Sequence, residues 1–159
     1  MKLFIFLFLF SFQVFIQDIK DNDSIRLKCM IQMNDYQGFG AYIIISLINP
    51  EGNYEETLFV QGKDKEWYSE LSYWWRFYRK TRNNIDGITG ETISGGERSI
   101  SLIKIPKEKI NKGYSIRLES SVEDQKYYKE DIQFHLTSEN LNSKIEGTGY
   151  INHIRTISN

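Results

Sequence analysis

The sequence predicts a mainly β fold: an immunoglobulin-like antiparallel β-sandwich of about seven strands, with one amphipathic aromatic helix inserted between them. Three observations carry that expectation. Seven short segments show strand patterning and are separated by turn-forming residues. Helical patterns do not alternate with them, as a parallel α/β sheet would require. The 159 residues are 40% hydrophobic and 14% aromatic, enough for one core and too apolar for a disordered chain.

Residues 1–17 read as an export signal. Lys2 supplies a positive start, Leu3 to Phe10 is an unbroken apolar run, and polar residues return at Ser11 and Gln13 before Asp18. Six of the ten phenylalanines fall here, and the stretch is shorter than the roughly 20 residues that span a bilayer. The expected mature protein is periplasmic or extracellular, has no transmembrane span and forms a single domain over residues 24–157. Within it, residues 24–34 alternate, with Ile25, Leu27, Cys29 and Ile31 on one side, which predicts a half-buried strand. Residues 39–48 are nearly all apolar, as in a strand covered on both faces, and Pro50-Glu51-Gly52-Asn53 turns the chain into a third strand over 54–60. Further strands are expected at 99–105, 114–122, 127–136 and 145–157.

Residues 66–80 break the β pattern. Trp67, Leu71, Trp74, Trp75 and Tyr78 recur at helical spacing, with Arg76, Arg79 and Lys80 opposite, so one amphipathic helix is expected. Tyr73 and Phe77 form a second ridge at the edge of its apolar stripe. Residues 81–98 then form a loop with four glycines, Gly87, Gly90, Gly95 and Gly96, which allow positive φ angles and leave the loop open to an approaching molecule.

Charge and composition narrow the function. With 20 Lys+Arg against 21 Asp+Glu there is no overall field to recruit nucleic acid. One cysteine and two histidines, His135 and His153, cannot build an intrachain disulfide or a conventional Cys/His metal cage. No nucleophile motif accompanies the histidines, and no phosphate-binding or dinucleotide fingerprint occurs. The expectation is a non-enzymatic binding or carrier module.

Within the loop, Asp86-Gly87-Ile88-Thr89-Gly90-Glu91-Thr92 resembles the acceptor motif of extracytoplasmic flavin transferases, D-x-x-[ST]-G-A-[ST]. That resemblance implies covalent FMN joined through its phosphate to the Thr92 hydroxyl, with Asp86, Thr89 and Gly90 as recognition groups. A flavin transferase and a membrane redox protein are the implied partners. Glu91 stands where the motif has Ala, and a carboxylate there opposes an approaching phosphate. Tyr73 and Phe77 are the candidates to stack on the flavin ring. The alternative use of that aromatic ridge, or of the sheet edge, is adhesion to a protein or glycan.

The order Pro50-Glu51-Gly52-Asn53-Tyr54, Thr57-Leu58, Gly62, Trp67, Leu71, Trp74 or Trp75, the Asp86–Thr92 motif, and Gly113-Tyr114-Ser115-Ile116-Arg117-Leu118-Glu119 carries a wider resemblance. Over residues 40–136 the chain resembles a family of predicted periplasmic proteins, domain of unknown function twenty-two seventy-one. Family members typically read D-A-V-T-G-A-T at the loop, and the W-D-G-x-D-x-x-G turn they carry before Gly113 is replaced here by residues 103–109. The resemblance implies an exported sandwich and no particular activity.

Overall fold

The computed structural model describes residues 23–158; the expected signal at residues 1–17 lies outside the described residues. Among the described residues there are nine strands and one α-helix in two sheets. Strands β1 (Ser24–Met33), β5 (Arg98–Pro106), β8 (Lys144–Glu146) and β9 (Ile151–Ser158) make a four-stranded sheet in the order β5-β1-β9-β8. Strands β2 (Tyr42–Ile48), β3 (Tyr54–Gln61), β4 (Thr89–Gly90), β6 (Ser115–Ser121) and β7 (Tyr127–His135) make a five-stranded sheet in the order β4-β3-β2-β6-β7. The pairings are antiparallel except that of β3 with β4.

Two of the nine strands correct the expected seven. The segment expected as one strand over 145–157 is a hairpin of β8 and β9, in which Ile145 pairs with Ile154 and Gly147 N–H donates to the Asn152 carbonyl at 2.9 Å. The other addition, β4, lies inside the glycine-rich loop and runs parallel to β3, with Val60 opposite Thr89 and Gln61 opposite Gly90.

Both sheets contribute to one core. Leu27, Cys29 and Ile31 of β1, Ile103 and Ile105 of β5, and Ile154 of β9 meet Ile43, Ile45 and Leu47 of β2 and Ile116 and Leu118 of β6. A second apolar cluster lies on the other face of the five-stranded sheet, where Tyr42, Ile44 and Val60 pack against Tyr68, Leu71 and Trp74. Strand β2 is therefore buried at every position, as its apolar sequence predicts. The Trp74 indole N–H donates to the Thr57 hydroxyl at 2.9 Å, and its ring stacks on Tyr78 with centroids 4.9 Å apart.

The aromatic segment is not the single helix expected over 66–80. A 3-10 helix over Lys65–Glu70, capped by Asp64, is followed at Leu71 by a non-helical residue (φ −79°, ψ 63°) and then by α1, Ser72–Thr81. The tighter 3-10 winding eclipses residues three apart. Tyr68, Leu71 and Trp74 are accordingly the fully buried residues, and Trp67 is only partly covered.

The turn between β8 and β9 is tied to the five-stranded sheet by a buried carboxylate. Asp131 of β7 accepts the Thr148 and Gly149 amides on Oδ1 at 2.9 and 2.6 Å, and the Ile151 amide on Oδ2 at 2.9 Å. The Ser120 hydroxyl donates to the same Oδ2 at 2.5 Å. Charge-assisted bonds of this kind are the strong ones, and losing the acceptor leaves several donors unsatisfied. Asp131→Ala is expected to destabilise the protein by about 3 kcal/mol or more. In urea denaturation this lowers the midpoint at an unchanged slope; a loss within the scatter of surface substitutions would show that the carboxylate does not tie the sheets together.

Candidate functional site

The sequence singles out residues 86–92, and the structure fixes them to the edge of β3. Asp86–Ile88 is a short 3-10 helix, Thr89–Gly90 is β4, and Ile93 bridges Ala41 through two backbone bonds of 2.7 and 3.2 Å. Gly62 N–H donates to the Gly90 carbonyl at 2.7 Å, and the Gln61 side-chain amide donates to the Glu91 carbonyl at 2.6 Å. The expected open loop is thus an ordered edge segment, and of its four glycines only Gly96 takes a positive φ, 75°. Backbone pairing to β3 and to Ala41, just before β2, supplies the constraint that residue types alone did not show.

Two lysines face the two acids of the motif. Lys63 pairs with Glu91, and Lys65 with Asp86 at 3.2 Å. Both pairs are exposed and contribute little to stability. Their effect is local: the Glu91 charge beside Thr92 is met by a cation. Thr89 donates weakly to the Asp86 carbonyl at 3.4 Å. Thr92 is exposed at a cleft of about 170 Å³, lined also by Phe39, Gly40, Tyr42, Trp67 and Glu123. A Cβ placed on Gly40 would stand 2.5 Å from the Thr92 hydroxyl oxygen, so a side chain there would collide with Thr92.

Tyr73 and Phe77 lie elsewhere. They line a separate open groove of about 370 Å³ with Asn53, Tyr54, Arg76 and Lys80, which shares no lining residue with the Thr92 cleft. Their rings already have partners. Phe77 stacks on Tyr54 with centroids 5.5 Å apart, and Tyr73 carries the Arg76 guanidinium at 4.6 Å and the Lys129 ammonium at 4.3 Å. The exposed aromatic beside Thr92 is Phe39, 66% exposed, and Trp67 faces the same cleft.

Two features escape the sequence reading. The first is Glu119 of β6, wholly buried on the helix-covered face of the sheet. Tyr54 donates to it at 2.5 Å and Tyr127 donates to its other oxygen. Burial pushes its carboxyl up to about 7, against the opposing influence of the two tyrosines, Arg117 and Lys129. Burial beside this carboxyl raises the Tyr54 and Tyr127 hydroxyls as well. The second is a cleft of about 420 Å³ walled by Arg26, Leu102 and Lys104 on one side and by Glu56, Asn84 and Ile88 on another. Its walls come from distant parts of the chain, so no local pattern announces it. His135 and His153 belong to different sheets and bond locally, to Ser115 at 3.2 Å and to Asn152 at 2.7 Å.

These elements define a mainly β, two-sheet domain with a helical layer on one face and small solvent-open clefts. The chain belongs to the family described as predicted periplasmic protein (DUF2271), whose profile matches residues 24–153, from the start of β1 into β9. That description agrees with the placement expected from the sequence, and among the described residues no helix is long and apolar enough to cross a membrane. Comparison with curated proteins and with solved structures returned no match.

The raised Glu119 carboxyl makes stability depend on pH. Between the ordinary carboxylate range and about 7, the folded protein keeps a proton that the unfolded chain has lost, so stability falls as pH rises through this window. Above it both states are ionised and the contribution is constant. The full effect is on the order of 3 kcal/mol. Glu119→Gln is expected to flatten the decline in melting temperature between pH 5 and pH 7.5; an equal decline in both proteins would place its cause in other groups.

Proposed function

We propose that the protein is a carrier module in which Thr92 bears covalent FMN for extracytoplasmic electron transfer. The observation that carries this reading is Thr92, an exposed residue on a paired edge segment beside Phe39 and Trp67, with the neighbouring Glu91 charge met by Lys63. In this reading the scaffold is an immunoglobulin-like sandwich, supported by two largely antiparallel sheets around one core. The partners are a flavin transferase and a membrane redox protein.

The attachment balances as a phosphoryl transfer. The Thr92 oxygen attacks the FMN phosphorus of FAD, a P–O bond forms, the pyrophosphate P–O bond breaks, AMP leaves, and the hydroxyl proton passes to a base of the transferase. Flavin chemistry supplies the redox step, and the protein supplies attachment and orientation. Phe39 and Trp67 replace Tyr73 and Phe77 as the ring contacts, because they share the acceptor's cleft.

A second reading is adhesion to an acidic protein or glycan through the groove beside α1. Arg76 and Lys80 favour it, since among the described residues neither has a carboxylate within ion-pair distance.

Coexpression with an extracytoplasmic flavin transferase, followed by intact-mass measurement, decides the first reading. The expected result is one added FMN less the elements of water, absent in Thr92→Ala and retained in Tyr73→Ala. An unmodified mass, under conditions that label an established carrier, rejects it.

A further inference from the structure

We infer that the outer face of the four-stranded sheet docks on an anionic phospholipid surface. The inference is independent of the flavin reading and concerns the opposite side of the core from α1.

The residues of β1, β5 and β9 contain no Asp or Glu, yet carry Arg26, Lys28, Arg98, Lys104 and Arg155, all on the outward-facing positions. The whole chain has a formal charge of −1, so the basic composition of these three strands is not that of the chain at large. Three of the large exposed apolar side chains share the face: Ile100, 58% exposed, Leu102, 52%, and Ile157, 41%.

Strand register interleaves the two kinds of residue. One row across the sheet reads Leu102, Lys28, Ile157, and the next reads Ile100, Met30, Arg155, Lys144. Neighbouring strands stand about 4.8 Å apart and same-face residues about 6.8 Å apart along a strand, so the rows form one continuous patch, which at Arg26, Leu102 and Lys104 borders the cleft shared with Glu56 and Ile88. Lys104 stands opposite Arg26, and Arg155 opposite Lys144. Glu146 of β8 bonds Lys144 at 2.7 Å, and Glu56 lines the cleft beside Arg26 and Lys104.

A second copy of the chain does not fit as the occupant, since a two-fold interface would set this cationic face against itself. An anionic surface with an apolar layer beneath its headgroups suits both of these rows. The aliphatic side chains enter the acyl boundary while Lys28 and Arg155 extend to the phosphates between them. Juxtaposed Lys and Arg contribute to such binding in proportion to their number. The family's description as periplasmic places the chain in a compartment bounded by membranes.

The test uses protein purified from the extracytoplasmic fraction of an exporting host, mixed with phosphatidylcholine vesicles with or without phosphatidylglycerol. Sedimentation is expected to show binding that requires phosphatidylglycerol, weakens as salt rises, and drops at least about tenfold in Lys28→Glu plus Arg155→Glu. The sole cysteine, Cys29, is buried and its thiol is pushed up to about 12 by burial, so a polarity-sensitive fluorophore on Ile157→Cys labels the face selectively. Its emission is expected to shift blue on the anionic vesicles. Unchanged melting temperatures confirm that the variants fold. Equal binding to neutral vesicles, an undiminished double variant, or an unshifted fluorophore overturns the inference. Capture of soluble polyglutamate by this face without vesicle binding assigns it instead to an acidic protein and overturns it too.

Discussion

Everything on the site-bearing side of the molecule follows from covering the outer face of the five-stranded sheet. Strands β2 and β6 are buried at every position. A central strand buried on both faces cannot be stable with one face in water. The aromatic segment closes that face, and Trp74 fixes its position. The indole is wholly buried, stacks on Tyr78, meets Tyr68 edge-on at 5.1 Å and donates to Thr57. Aromatic pairs of this geometry add to the burial of their area, and the indole bond removes the cost of its one polar atom.

The same cover explains which features the sequence disclosed. Strand β1 alternates because only one of its faces is buried, so its pattern and its inward residues Leu27, Cys29 and Ile31 were legible. The uninterrupted apolar run of β2 announced a second covering layer without saying what it was. Strand β6 misleads for the same reason. Ser115, Arg117, Glu119 and Ser121 alternate with Ile116 and Leu118 as in a solvent-facing strand, but all four are buried, and Tyr54 and Tyr127, which pack on the helical cover, close over Arg117 and Glu119. Burial of a polar stripe is a tertiary fact, and no local spacing records it. The break at Leu71 was hidden because i+3 and i+4 neighbours share one helical face whichever winding the chain adopts. The hairpin at the C-terminal end did have a signal, Glu146-Gly147-Thr148-Gly149, within an otherwise strand-like stretch.

Charge is sorted as sharply as apolar surface. On the helix side, Lys63 and Lys65 answer Glu91 and Asp86, and Arg117 answers Glu130 at 3.1 Å while its Nε donates to Gln133 at 2.6 Å. On the far face of the four-stranded sheet the cations outnumber the acids. A near-neutral chain thus presents two sides with different electrostatic character. Net charge argued against nucleic acid, but it averages over that difference and could not reveal it.

Gly62 joins the motif to the helical cover. Its N–H donates to Gly90 of β4, and its carbonyl accepts the Tyr68 hydroxyl at 3.0 Å. Its φ of 113° lies where side chains are strained, and an added Cβ would stand 2.2 Å from the Tyr42 ring. A single backbone unit therefore carries the edge segment that bears Thr92 on one side and the 3-10 helix that starts the cover on the other. The ring that excludes a side chain at Gly62 also lines the Thr92 cleft. A shift of the helical layer cannot leave the surroundings of Thr92 untouched, because Tyr42, Gly62 and Tyr68 would have to move together. Position 62 is held to glycine by its positive φ and by the Tyr42 ring at once, and the motif on the sheet edge is rigid because the cover behind it is.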